Sequence, residues 1–597
     1  MNVDLDYFSL LKEGRAVAKQ AASNPNRVAL LSDGATQQFV PILKALFHRH
    51  QLAIDVYEGA FDAIELEVYN RNSALYQHQP EVIVILNAVQ SLRSRFYGRT
   101  TNEADWLEAE QKKMVRTWDA IRENCTALVI QSNFVLPLER FFGNFDQKIE
   151  PSFYSLVQKL NAHISKEAAT RRNVLINDIE SLASWVGRNS WFDDRLWHFA
   201  KTFCALDHLP RVAKNIVDIT MTTKGRGVKC VVLDLDDTLW GGVVGDEGPL
   251  GIKISAHGDG EAFYQFQCYL RELKRRGILL AVCSKNDHHN AIRPFHENPE
   301  MVLKFDDMTA FVANWNNKAE NIRTIREALN IGFDSIVFLD DNPFERNLVR
   351  ELVPEVTVPE LPEDPADYVK ALSELNLFET SSFSAEDVQR SDLYKQEASR
   401  KILESSASNF EEFLQSLDMR IEVGRFKPAN IGRIAQLIQR SNQFNLTTHR
   451  YNESQCEEMM HDEENSIPLY AKLRDRFGDH GLISVVIARP KPSESTLEIT
   501  DWLMSCRVLT RGVEEYLMTY VVGEAQRRGL TRVTGRYIPT AKNGMVKEFF
   551  GRFGFSKVHE EPNGTAEWLL NTSDYVIPTV FVKPEDSVAE FLSETVA

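Results

Sequence analysis

Short apolar runs separated by helix-length segments pace the first 340 residues, and this alternation confines the chain to sheets covered by helices on both faces. RVALLS (27–32), AIDVY (53–57), EVIVIL (81–86), TALVIQ (126–131) and NVLIND (173–178) are short and almost continuously apolar. Runs of that kind suit parallel strands buried on both sides, with the intervening segments as crossover helices. Residues 1–222 therefore read as a flavodoxin-like three-layer α/β domain. A second, Rossmann-like block over 223–370 repeats the alternation through KCVVLDLD (229–236), GILLAVCS (277–284) and SIVFLDD (335–341), with helices over 262–276 and 318–330. In the latter helix Ala319, Ile322, Ile325 and Leu329 recur at the near-helical spacing of a core face. The four prolines of PEVTVPELPEDPADY (354–368) mark the exit from this block. Residues 371–418 read as a helical connector. The remainder, 419–597, reads as α+β. Its strands are MRIEVGRF (419–426), GLISVVIAR (481–489), TLEITDWLMSCRV (496–508) and TRVTGRYI (531–538), with one helix over 513–529 and another ending at FGRFGF (550–555). The fold class is thus α/β multidomain, as expected for 597 residues, which exceed one core.

Composition narrows the function classes. A formal charge of -17 argues against a phosphate-tracking surface, so nucleic acid is not an expected partner. The seven cysteines show no CxxC spacing, which fits a reducing compartment without a structural zinc site. The N-terminus lacks a basic segment followed by an apolar one, and no apolar run approaches the ~18 residues of a membrane span. The expectation is a cytoplasmic protein without a membrane partner.

The chemistry lies in the central block. In DLDDT, Asp234 and Asp236 end an apolar run, and alternation puts them on the same side. The carboxyl edge of a parallel sheet faces the crevice where α/β proteins bind ligands. Two carboxylates at such an edge repel, and a hard divalent cation such as Mg2+ relieves the repulsion while phosphate completes its shell. One carboxylate can attack phosphorus while the other handles the leaving-group proton. Two further strands and a helix end in complementary groups. VCSKN sets Ser284 at a strand end, followed by Lys285 and Asn286; Lys318 opens a helix; FLDDN sets Asp340 and Asp341 at a third strand end. Thr238, Ser284, Lys285, Asn286 and Lys318 are accordingly the expected substrate-binding groups, and Asp234, Asp236, Cys283, Ser284 and Lys318 the expected catalytic ones.

This order resembles the four motifs of the haloacid dehalogenase (HAD) superfamily. The resemblance implies that Asp234 becomes an aspartyl phosphate, that Asp236 is the general acid/base, and that Ser284 and Lys318 clamp the phosphoryl group. It places magnesium on Asp234, the Asp236 main chain and Asp340, with Asp341 a further candidate ligand. Asp237 departs from the pattern, since many HAD phosphatases carry glycine before the threonine. Longer strings resemble the FkbH-like family, HAD subfamily IIIC: LDLDDTLWGGVVGDEG, LLAVCSKND, PFHENPEM, FVANWNNKAENI, FLDDNPFER, SNQFNLTTHRY (441–451) and LMSCRVLTRGVE (503–514). That family implies removal of phosphate from 1,3-bisphosphoglycerate and loading of a glyceryl unit onto the phosphopantetheine thiol of an acyl carrier protein, in polyketide or related secondary metabolism. The alternatives are a plain small-molecule phosphatase and a phosphate-binding scaffold. Loading a thiol needs the three-carbon unit held while its phosphate is removed, and a cysteine thioester would do that. Cys283, beside Ser284, is the first choice for that tether, with Lys285 and the metal favouring its thiolate, and Cys506 is the second.

The flanking domains carry weaker signatures. Ser32, Asn87 and His198 follow the order of SGNH-type hydrolases, but the first block reads SDGA, and Arg195 stands where that family has aspartate, with Asp194 one place early. A serine–histidine pair lacking its orienting carboxylate is a poor nucleophile, so this domain reads as a scaffold or docking element. The C-terminal block resembles the GNAT acyltransferase fold, although RVLTRGV (507–513) has one glycine where two usually cradle pyrophosphate. A pantetheine arm without that pyrophosphate remains compatible with it.

Overall fold

A computed structural model describes residues 5–18, 25–383 and 410–585. Part of the 371–418 connector therefore lies outside the described residues. The chain divides into two compact units: Val3–Met221 together with Asn452–Gln455, and Thr222–Tyr451 together with Cys456–Ala597. The architecture is mixed α/β with several sheets. No helix among the described residues is long and apolar enough to cross a membrane.

The first unit holds β1 (Asn26–Ser32), β2 (Ile54–Glu58), β3 (Val82–Leu86), β4 (Leu128–Ser132) and β5 (Val174–Asn177). They form one parallel sheet in the order β2-β1-β3-β4-β5, the flavodoxin-like order. β3 and β4 are buried at every position because helices cover both faces. Alternate residues feed separate cores: Val82, Val84 and Leu86 enter one, and Ile83 and Ile85 the other.

In the second unit β6 (Cys230–Leu233), β7 (Leu279–Ser284), β8 (Met308–Ala313) and β9 (Ile336–Leu339) form a parallel sheet in the order β8-β7-β6-β9. β8, an edge strand in which only Met308 and Ala313 are buried, was not among the expected strands. The helices Glu261–Arg275 and Lys318–Leu329 take up the predicted segments. The strands stop earlier than the sequence suggests: β6 ends at Leu233 and β9 at Leu339, so Asp234 and Asp340 begin the loops above the sheet.

The last sheet has eight strands: β10 (Arg420–Arg425), β11 (Ile467–Asp475), β12 (Gly478–Lys491), β13 (Thr496–Met504), β14 (Arg532–Tyr537), β15 (Ser556–Glu560), β16 (Ala566–Asn571) and β17 (Lys583–Pro584). Their order is β15-β16-β14-β13-β12-β11-β10-β17, antiparallel apart from the β13/β14 and β10/β17 pairs. The helix Val513–Arg527 is the crossover that parallel pairing of β13 with β14 requires. FGRFGF is not the end of an α-helix. Phe550–Phe553 is a 3-10 turn closed by Gly554 at φ 82°, and it sets the Phe550 ring on β14. A Cβ at Gly535 of β14 would stand 2.1 Å from that buried ring. Gly535→Ala is therefore expected to destabilise the C-terminal sheet by about 1–3 kcal/mol through overpacking, read as a lower denaturant midpoint with an unchanged m-value.

Candidate active site

Parallel pairing of β6 with β9 and of β6 with β7 brings three strand ends to one edge. Asp234 follows β6 there, its N–H still donating to the Leu339 carbonyl at 2.9 Å. Lys318 opens its helix, capped by Asn317, and drives a nearly buried ammonium between two carboxylates. Its Nζ lies 3.0 Å from Asp234 Oδ2 and 2.5 Å from Asp340 Oδ2. Burial works against the lysine's charge, but Asp234 and Asp340 outweigh it and raise its pKa. Burial and the neighbouring Asp234 push the Asp340 carboxyl up, against the pull of Lys318.

Asp340 Oδ1 accepts from the Asn342 N–H at 2.9 Å. Arg346 Nη1 donates to the carbonyls of Asp340 at 2.8 Å and Asp341 at 2.6 Å while its other edge pairs with Glu360, which fixes the loop that carries both aspartates. Thr238 does not point to a substrate position as expected. Its hydroxyl donates to Asp341 Oδ1 and accepts from the Asp341 N–H, both at 3.0 Å. Asp341 is thereby oriented toward Asp234 and Asp340, and carboxylate oxygens of all three lie within 4.8 Å of one another.

The Asp236 carboxylate stands apart from that cluster. Its Oδ1 accepts from Trp240 Nε1 at 2.9 Å and the Val244 N–H at 3.1 Å, and its Oδ2 from Asn286 Nδ2 at 2.9 Å. Burial raises its pKa, these N–H groups oppose the rise, and Asp234 and Asp237 add to it. Asn286 is thus engaged with Asp236. Lys285 is likewise engaged, with Nζ 2.6 Å from buried Glu345. Ser284 ends β7, buried at the same edge. Asp237 occupies the left-handed region, φ 53°, which explains why glycine suits that position and why aspartate is tolerated. Its carboxylate accepts from the Gly242 N–H at 2.7 Å and so tightens the turn after Asp236.

The structure overturns Cys283 as the acyl tether. Strand alternation turns its side chain into the core beneath the sheet, among Cys230, Val232, Ala281, Ile322 and Phe338, with no exposed surface. Its Sγ donates to the Lys318 carbonyl at 3.7 Å, and burial pushes the thiol pKa far up. Cys506 lies beyond the end of β13 in the 3-10 turn Cys506–Val508, half-buried, with Sγ donating to the Asn330 carbonyl at 3.5 Å. In the first unit Ser32 is buried with Oγ accepting from the Gly34 N–H, Asn87 donates to buried Asp33, and His198 is exposed. Arg346, Glu345, Trp240 and Asn342 were not assigned roles from sequence; the string FLDDNPFER contained the signal for three of them.

The carboxylate cluster suits a hard cation. Asp234 Oδ1 is buried without a hydrogen-bond partner, Lys318 supplies one positive charge against three carboxylates, and the donors are all oxygen.

The family described as FkbH, N-terminal domain, matches residues 27–221. A solved structure of the N-terminal part of the protein BF1531 from Bacteroides fragilis, containing a phosphatase domain complexed with Mg, is 41% identical, with 62% of this chain and 99% of that chain covered and a TM-score of 0.59. The ribosomal-protein-S18-alanine N-acetyltransferase from Escherichia coli matches at 12% identity over 26% of this chain and 94% of its own, TM-score 0.20. A GNAT-family acetyltransferase from Desulfovibrio desulfuricans matches at 14% over 26% of this chain and 99% of its own, TM-score 0.21. No curated protein matches the chain.

Removing one partner of a buried ion pair leaves an uncompensated charge. Lys318→Met is expected to cost about 3–5 kcal/mol in the absence of divalent cation. Magnesium should raise the thermal transition of this variant more than that of wild type, in a melting experiment with and without the ion.

Proposed function

The chain belongs to the FkbH-like family and is an enzyme of the HAD phosphatase type; from that premise we propose that it dephosphorylates 1,3-bisphosphoglycerate and loads the glyceryl unit onto the phosphopantetheine thiol of an acyl carrier protein. The observation that carries the phosphatase reading is the Asp234–Lys318–Asp340 constellation at the sheet edge. The substrate and the carrier protein rest on the family resemblance.

Asp234, Asp340 and Asp341, with the Asp236 main chain, would hold magnesium, which when bound supplies positive charge against the carboxylates and the phosphoryl oxygens. Asp234 attacks phosphorus, and the bond from phosphorus to the leaving oxygen breaks. Asp236, whose pKa burial raises, gives that oxygen a proton. Lys318 neutralises charge on the transferring group and holds Asp234 in line. Asp236 then takes a proton from water, which cleaves the aspartyl phosphate and releases phosphate. The bonds from Trp240 and Asn286 fix the Asp236 carboxyl for both proton transfers.

Asp234→Asn is expected to lower phosphate release at least about a thousandfold in a folded protein, because an amide is a poor nucleophile. Phosphate release from purified variant and wild type, measured with magnesium present, checks this, and a wild-type rate would sink the assignment. We read the N-terminal domain as a scaffold or docking element, given the engaged Ser32 and the exposed His198. Ser32→Ala should therefore leave carrier-protein loading unchanged, as followed by intact-protein mass spectrometry of the carrier; loss of loading in a folded variant would assign that domain a catalytic role.

A further inference from the structure

β13 and β14 run parallel but pair only from Thr496 to Ile499 against Arg532 to Gly535. β13 continues to Met504 and β14 to Tyr537, so the two strands part and leave backbone groups that need partners. The segment Phe444–Leu446 fills the opening. The Leu446 N–H donates to the Trp502 carbonyl at 3.0 Å, the Met504 N–H to the Phe444 carbonyl at 3.1 Å, and the Ile538 N–H to the Leu446 carbonyl at 2.8 Å. Asn543 Nδ2 donates to the Asn445 carbonyl at 2.9 Å. Phe444 and Leu446 are buried.

This wedge fixes the start of the next five residues, and three of their side chains converge on one carboxylate. Asp501 of β13, 2% exposed, accepts from Thr447 Oγ1 at 2.5 Å, His449 Nδ1 at 2.8 Å and Tyr451 OH at 2.8 Å. A carboxylate only accepts, so Nδ1 donates, and neutral His449 keeps its lone pair on Nε2. The side chain of His449 is 52% exposed. An imidazole held at Nδ1 by a carboxylate is oriented with Nε2 left as its basic nitrogen.

The chemistry of the substrate asks for such a base. 1,3-Bisphosphoglycerate carries an acyl phosphate and a phosphomonoester. The Asp234 site attacks phosphorus; transfer to a thiol requires attack at the carbonyl carbon, and Cys283 is sealed in the core. We propose that His449 and Asp501 form a second catalytic centre, in the C-terminal domain, in which His449 Nε2 takes the proton of the acceptor thiol. This rests on the acyl-transfer reading above. The S–H proton moves to Nε2, and the sulfur attacks the acyl carbon. The C–S bond forms as the C–O bond to phosphate breaks, and phosphate leaves with the electron pair and accepts the proton from His449. Asp501, Thr447 and Tyr451 act as positioning residues. The Asp501 hydrogen bond raises the His449 pKa, against burial and the charge of Arg536.

The test uses the full-length enzyme, 1,3-bisphosphoglycerate and free pantetheine as the acceptor thiol, with the thioester followed by mass spectrometry. His449→Asn keeps a donor for Asp501 but has no base; it should melt as wild type does and lose about a hundredfold or more of the transfer rate. His449→Ala should lose the rate likewise and regain part of it with added imidazole, which a purely structural role would not allow. Either variant transferring at the wild-type rate overturns the dyad. A wild-type enzyme that releases phosphate but forms no thioester overturns the acyl-transfer reading itself.

Discussion

One ammonium group between two buried carboxylates is the constraint around which the central domain is arranged. Lys318 Nζ reaches Asp234 and Asp340 in a place where an isolated charge of either sign would be costly. Much of the surrounding structure serves to keep those oxygens where the ammonium can meet them. β6 and β9 are hydrogen-bonded neighbours, so their following residues emerge side by side. Arg346 braces the carbonyls of Asp340 and Asp341, Asn342 caps the same loop, and Thr238 ties Asp341 back to the strand carrying Asp234. Three negative charges against one positive leave a deficit that a hard divalent cation satisfies.

Asp236 shows how two carboxylates separated by one residue come to differ. Asp234 faces a cation, whereas Asp236 faces Trp240, Val244 and Asn286, all neutral donors, and burial raises its pKa. The difference is set by environment rather than by residue type. Asp237 contributes by accepting a left-handed backbone, which turns the chain sharply so that Trp240 and Val244 can return to Asp236.

The C-terminal sheet meets the central domain at the far end of the helix that Lys318 begins. Asn330 contacts Cys506, and Asp334 pairs with Lys542. At 1.5 Å per residue the helix carries this contact about 18 Å from Lys318 along its axis. The Phe444–Leu446 wedge takes up backbone groups that the parting of β13 from β14 leaves.

The sequence by itself determined the alternation of strands and helices in the first two sheets, the strand ends that carry Asp234, Ser284 and Asp340, and the helix that begins at Lys318. These are local properties: apolar runs of strand length, helical periodicity and polar residues at element ends read directly from adjacent positions. Among the strands not expected, β16 escaped because exposed residues alternate with buried ones along it. Which face a side chain takes at a strand end was decided only in three dimensions. Cys283 and Ser284 are neighbours, yet one enters the core and the other the crevice edge. Thr447, His449 and Tyr451 lie some fifty residues from Asp501 in sequence, and only the parting of β13 from β14, filled by Phe444–Leu446, brings them onto its carboxylate. Hydrogen bonding across such a separation depends on strand register, which no local pattern encodes.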